Sequence, residues 1–69
     1  MNFEVGQTLE FVDPVEVNGA TITPGTCARV GNVLFMATKT TLTLVLPDEA
    51  GGGKILVNHN VANLHCRIV

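Results

Sequence analysis

The sequence predicts an all-β fold, and three observations lead to this prediction. Apolar and polar residues alternate with a period of two over several short segments, as in strands with one buried face. Turn residues interrupt these segments about every 8–12 residues, the spacing of small β-sandwiches and barrels. Val, Ile and Thr, which favour strands, supply 21 of the 69 residues. Residues 1–69 are therefore expected to form a single small β domain.

Four β-prone runs make up the first half of the chain, and they are residues 8–12, 15–17, 20–22 and 26–37. Pro14 separates the first two, because proline has no N–H to donate to a strand ladder. Asn18-Gly19, between the second and third, is the strongest short signal for a hairpin. Pro24-Gly25 predicts another turn, with glycine where a positive φ is needed. Gly31-Asn32 predicts a bend or bulge in the last run.

The second half predicts three more strands, at residues 39–46, 54–58 and 65–69. The loop 47–53 between the first two is expected to be flexible at Gly51, Gly52 and Gly53. Residues 60–64 do not alternate and predict one 3₁₀ turn before the last strand. No segment repeats its apolar residues with a helical period, so no α-helix is expected. The inward-facing positions give the predicted core: Leu9, Phe11, Val30, Leu42, Leu44, Leu46, Ile55, Val57 and Ile68.

The order of these elements resembles that of SH3-like small β-barrels, and in particular of KOW-like members. The segments that carry the resemblance are VGQTL at 5–9, GTCARV at 25–30, ILV at 55–57 and VANLHCRIV at 61–69. The resemblance covers nearly the whole chain. It implies a five-stranded SH3-like barrel with a 3₁₀ turn before the last strand. It implies no specific activity, because such folds host many functions.

Composition argues against the two best-known roles of small β-barrels. The chain has no Trp and no Tyr, so it cannot build the aromatic groove that binds proline-rich peptides. Its net charge is −2, whereas nucleic-acid affinity comes mainly from clustered cations. A nucleic-acid-associated module of the KOW or Sm-like kind remains an alternative. It requires convergence on one face of the four scattered cations, Arg29, Lys39, Lys54 and Arg67.

Catalytic and metal-binding motifs are not expected either, and neither is a cofactor. The soft metal ligands Cys27, His59, His65 and Cys66 lack paired zinc-ligand spacing. The triple glycine before Lys54 is not a phosphate loop, because Ile55 replaces the Ser or Thr and a strand follows. A third hypothesis is an oligomeric small-ligand binder or enzyme, whose pore between subunits would carry polar groups such as His59 or His65.

Location was assessed from the termini and the cysteines. The first residues lack the positive and apolar regions of a secretory signal, and no apolar run approaches the ~20 residues of a membrane span. We therefore expect a cytoplasmic protein that does not enter a membrane. Its two cysteines are expected to be reduced and buried or half-buried.

One segment predicts an interaction surface. Lys39 is the only charged residue between Arg29 and Asp48, and solvent-facing strand positions usually carry more charge. The predicted interface consists of Leu34, Met36, Thr41, Thr43 and Val45. We expect it to contact another copy of the chain or a larger protein, by face packing or by edge addition. The favoured function is therefore a non-catalytic interaction or assembly module that associates with itself.

Overall fold

The computed structural model describes residues 3–17 and 19–69. Its strands are β1 (Thr8–Phe11), β2 (Val15–Val17), β3 (Ala20–Ile22), β4 (Cys27–Phe35), β5 (Thr40–Val45), β6 (Lys54–Asn58) and β7 (Cys66–Ile68). A 3₁₀ helix at Asp48–Ala50 lies between β5 and β6, and α1 (His59–His65) lies between β6 and β7. The predicted all-β class is confirmed.

The main sheet has the strand order β6-β5-β4-β1-β7, and each neighbouring pair is antiparallel. Strands β2 and β3 form a separate hairpin. Among the described residues β6 pairs only with β5, and β7 only with β1. The expected closed five-stranded barrel is therefore wrong at the level of hydrogen bonding. Closure would need a ladder between β6 and β7, and the structure has none.

The segment before the last strand is an α-helix, so the predicted 3₁₀ turn at 60–64 and the expected absence of α-helix are both wrong. Asn58 caps α1, because its side-chain oxygen accepts a hydrogen bond from the Asn60 N–H at 2.8 Å. Ala62 is fully buried beneath the sheet's inner face. Seven residues make only about two turns, too few for a helical period to show in the sequence.

The predicted turns are present where the structure describes them. Gly25 has a φ of 91°, and the Thr26 N–H donates to the Thr23 carbonyl at 3.3 Å. Gly19 has a φ of 80° and joins β2 to β3; Asn18, the other half of that turn, lies outside the described residues. In the loop, the Gly52 N–H donates to the Pro47 carbonyl at 3.0 Å. Flexibility at Gly51, Gly52 and Gly53 stays a prediction.

The predicted irregularity in β4 is a bulge at Gly31. Val30 pairs with Leu44 and Asn32 pairs with Thr43, so Gly31 is the extra residue. A Cβ on Gly31 would lie only 3.1 Å from Cγ2 of Val45. Glycine therefore allows the bulged strand to approach β5 closely.

The core lies on the inner face of the sheet. Six of the nine predicted core residues are buried: Leu9, Phe11, Val30, Leu42, Leu44 and Val57. Leu46 and Ile55 are partly buried and pack against these six. Ile68 is 40% exposed, so its assignment was wrong; it lies near the end of the short edge strand β7. The predicted core lacked six buried residues: Phe3, Val15, Ile22, Ala28, Ala62 and Cys66.

The two cysteines are free, and they differ in environment. Cys66 is buried, as expected. Cys27 is exposed, which contradicts the expectation that both would be buried or half-buried. Its neighbour Ala28 points into the core, so alternation along β4 turns Cys27 outward.

Candidate functional site

The residues of β5 divide between two environments. Leu42 and Leu44 are fully buried on the inner face of the sheet. The alternate residues Thr41, Thr43 and Val45 are half-buried and point to the other side. The sequence predicted this division correctly.

Strand register adds leucines from both neighbouring strands to this outward side. Leu34 of β4 lies opposite Thr41, and Leu56 of β6 lies opposite Thr43. Leu34 is 52% exposed and Leu56 is 65% exposed. We call this set the apolar outer face, and it consists of Leu34, Thr41, Thr43, Val45 and Leu56. Four of the five predicted interface residues therefore share one surface.

Two residues depart from the predicted site. Met36, also predicted, lies beyond the end of β4 and is 52% exposed; its N–H donates to the Lys39 carbonyl at 2.8 Å. Leu56 was missed. The signal for it was the apolar run Ile55-Leu56-Val57, because three consecutive apolar residues in a strand must place at least one on each face.

The four cations of the nucleic-acid alternative are only partly brought together. Arg29 and Lys54 lie on either side of Val45 in one cross-strand row, about 10 Å apart between backbones. Lys39 follows the far end of β4. Arg67 contacts Glu10, with its Nη2 and Nε each 2.6 Å from the Glu10 Oε1. Two of the four cations thus share a row on the outward side.

An ion pair joins β1 to β7 on the outward side of the sheet. Glu10 lies opposite Arg67 in the ladder and accepts its hydrogen bonds. Just beyond β1, Asp13 Oδ2 is 3.1 Å from Nδ1 of His65, the last residue of α1. Glu10, Arg67 and Asp13 therefore have side-chain partners within the chain.

A pocket of about 380 Å³ opens beside the end of β4. The Phe3 ring meets the His59 ring edge-on, with centroids 5.2 Å apart, and Glu4 and Thr40 line the same pocket. Phe35 borders it and is 79% exposed. β4 extends beyond the buried layer, and its last pair, Phe35 with Thr40, lies outside the core.

The buried thiol of Cys66 offers little nucleophilic chemistry. Burial raises the pKa of the Cys66 thiol from 9.0 to about 11, so this thiol is protonated near neutral pH. Within residues 3–17 and 19–69, no three His, Cys, Asp or Glu side chains lie close enough together to hold a metal ion. His65, one of the polar groups proposed for a pore, contacts Asp13, and the other, His59, lines the Phe3 pocket.

No helix among the described residues has the length and apolar character needed to cross a membrane. Comparison with known proteins found no family, no curated protein and no solved structure that matches this chain.

Proposed function

We propose that this chain is a non-catalytic interaction and assembly module that associates with itself through the apolar outer face. One observation carries the proposal: Leu34 and Leu56 are more than half exposed on a three-stranded face whose central residues are Thr41, Thr43 and Val45. Covering the exposed part of each leucine would contribute roughly 1–2 kcal/mol. Solvent-facing strands usually carry more charge; on this side Arg29 and Lys54 lie in one row beside Val45, at one end of the face.

The strand order supports the resemblance to SH3-like barrels as part of this proposal. β4, β5 and β6 form an antiparallel meander, and β7 returns to pair with β1. The fold by itself assigns no activity, so the proposal depends on the surface. The two unpaired thiols support a reducing compartment, and we place the module in the cytoplasm.

A nucleic-acid-associated module is the second candidate, and the row that contains Arg29 and Lys54 favours it. Two phosphate contacts per chain would give a logarithmic salt dependence of about −2. Binding to mixed-sequence DNA and RNA, measured by fluorescence anisotropy over a salt series, tests this candidate. A steep salt dependence that Lys54→Ala reduces would favour it over self-association as the main function.

Sedimentation velocity tests the self-association proposal. The average mass of the wild type should rise above 7.3 kDa as its concentration increases from micromolar to millimolar. Leu56→Glu should weaken association at least tenfold, or about 1.4 kcal/mol, because it places a charge on the apolar outer face. Leu64→Glu is the matched control, since Leu64 is 72% exposed on α1. A wild type that stays monomeric, or two variants that behave alike, would contradict the proposal.

A further inference from the structure

The free edge of β6 has a defined hydrogen-bonding phase. Among the described residues β6 pairs with β5 alone. The Leu46 N–H donates to the Gly53 carbonyl at 2.9 Å, just before β6 begins. Hydrogen-bonded and non-hydrogen-bonded pairs alternate along an antiparallel ladder. Ile55 and Val57 therefore bond to β5, whereas the N–H groups of Lys54, Leu56 and Asn58 point to the open edge.

This edge is complementary to itself in one register. When a second β6 lies antiparallel about a two-fold axis at Leu56, Leu56 faces the same residue of the second copy. Ile55 then faces Val57, and Lys54 faces Asn58. On the outer face the exposed Leu56 meets Leu56 of the second copy and a lysine meets a neutral amide, whereas on the inner face Val57 is already buried within its own chain.

The other symmetric registers are poorer. A two-fold axis perpendicular to the sheet keeps the two inner faces on one side and the two outer faces on the other. The possible registers therefore differ only in which residue of β6 lies on the axis. Centring at Lys54 places two ammonium groups directly opposite each other, which is unfavourable. Centring at Ile55 pairs Val57 with Gly53 of the loop, and centring at Val57 pairs Ile55 with the first residue of α1. Only the axis at Leu56 pairs all five residues of β6.

From this we infer that two copies of the chain join β6 to β6, antiparallel and centred on Leu56. The product is one continuous sheet of ten strands in which the two apolar outer faces become adjacent. The inference rests on the proposed self-association and names its geometry. Lysines on edge strands commonly prevent such pairing. Here Lys54 lies opposite Asn58, so it does not oppose the pairing.

Disulfide trapping tests the register. In a Cys27→Ser background, Leu56→Cys places two cysteines opposite each other at a hydrogen-bonded pair. Their Cα atoms would be about 5.5 Å apart, within the disulfide range of about 4.4–6.8 Å. Thr43→Cys is the matched control on the same face, and three strand spacings would separate its two copies by about 14 Å. We expect rapid covalent dimer formation at position 56 and little at 43; equal rates would overturn the inference.

A second pair of variants tests the backbone contact. Leu56→Pro removes an N–H that the β5 ladder does not use, whereas Leu56→Thr removes the leucine and keeps that N–H. By sedimentation, the dissociation constant should be at least tenfold higher for the proline variant than for the threonine variant. Circular dichroism is used to check that both variants fold. If the proline variant is unfolded, the disulfide-trapping result alone tests the inference. A wild type that self-associates without trapping at position 56 overturns the inference but leaves the proposed function, whereas a monomeric wild type overturns both.

Discussion

The outward sides of the two halves of the sheet differ in whether their side chains have partners within the chain. In the half made by β1 and β7, Glu10 contacts Arg67, and nearby Asp13 contacts His65. In the half made by β4, β5 and β6, the apolar outer face leaves Leu34 and Leu56 more than half exposed. Both halves follow the same strand alternation. The comparison shows that Glu10, Arg67 and Asp13 have partners within the chain on one half, whereas the other half leaves two leucines exposed to solvent.

The largest expected effect separates the inner face from the outer face of one strand. Leu44→Ala should cost about 2–5 kcal/mol, because Leu44 is fully buried. That is comparable to the ~3–5 kcal/mol that a core of this size supplies, so the variant should be largely unfolded. Thr43→Ala, one residue away, should change the free energy of unfolding by about 0.5 kcal/mol or less in dilute solution. Urea denaturation followed by circular dichroism measures both, and similar losses would contradict the assignment of faces.

Long alternating segments were predicted well from the sequence, and short ones were not. β5 shows its two faces plainly, and Gly31 marks the bulge, where a Cβ would lie in tight contact with Val45. α1 is stabilised by the Asn58 cap and by burial of Ala62, and neither leaves a periodic pattern in seven residues. The local sequence pattern also does not show that the sheet is open, since closure depends on hydrogen bonding between strands that are distant in the sequence.

A second prediction compares two thiols with opposite environments. Cys27 is exposed, whereas burial raises the pKa of Cys66 to about 11. Near pH 8, Cys66 should therefore hold roughly 100-fold less thiolate than a thiol with an ordinary pKa, and a thiol reagent should modify Cys27 first. Mass mapping of the modified chain would show this order. Faster modification of Cys66 would place it outside the core.

The same shift gives Cys66 a contribution to stability with a definite sign. Because the folded state holds this proton more tightly than the unfolded state, the contribution is fully present below pH 9.0 and is lost as the pH rises through about 11. The difference in unfolding free energy between the wild type and Cys66→Ala should therefore shrink over that interval. A constant difference would contradict the burial of this thiol.

The smallest expected effect concerns the ion pair on the β1 and β7 half. Arg67→Met should cost at most about 1 kcal/mol, because Arg67 is largely exposed to solvent and such pairs contribute little. It should leave self-association unchanged, since Glu10 and Arg67 lie away from the apolar outer face. Thermal denaturation and sedimentation measure the two properties on the same sample. A large loss of association would contradict the proposed interface, because it would indicate that the β1 and β7 half contacts the second copy.

Most of the apolar outer face was predictable from the sequence, whereas its role as an interface stays a prediction. Leu34, Thr41, Thr43 and Val45 were found because the stretch around them lacks charge. Leu56 was missed because its apolar neighbours on both sides hide which face it occupies.

A dilution series of ¹H–¹⁵N NMR spectra tests the central claim most directly, because it locates self-association residue by residue in the unmodified chain. The backbone signals of Leu56 and of its neighbours in β6 should shift progressively on dilution, whereas those of Glu10 and Arg67 should stay fixed. Spectra that do not change with concentration, or shifts confined to β1 and β7, would contradict the claim that the apolar outer face joins two copies.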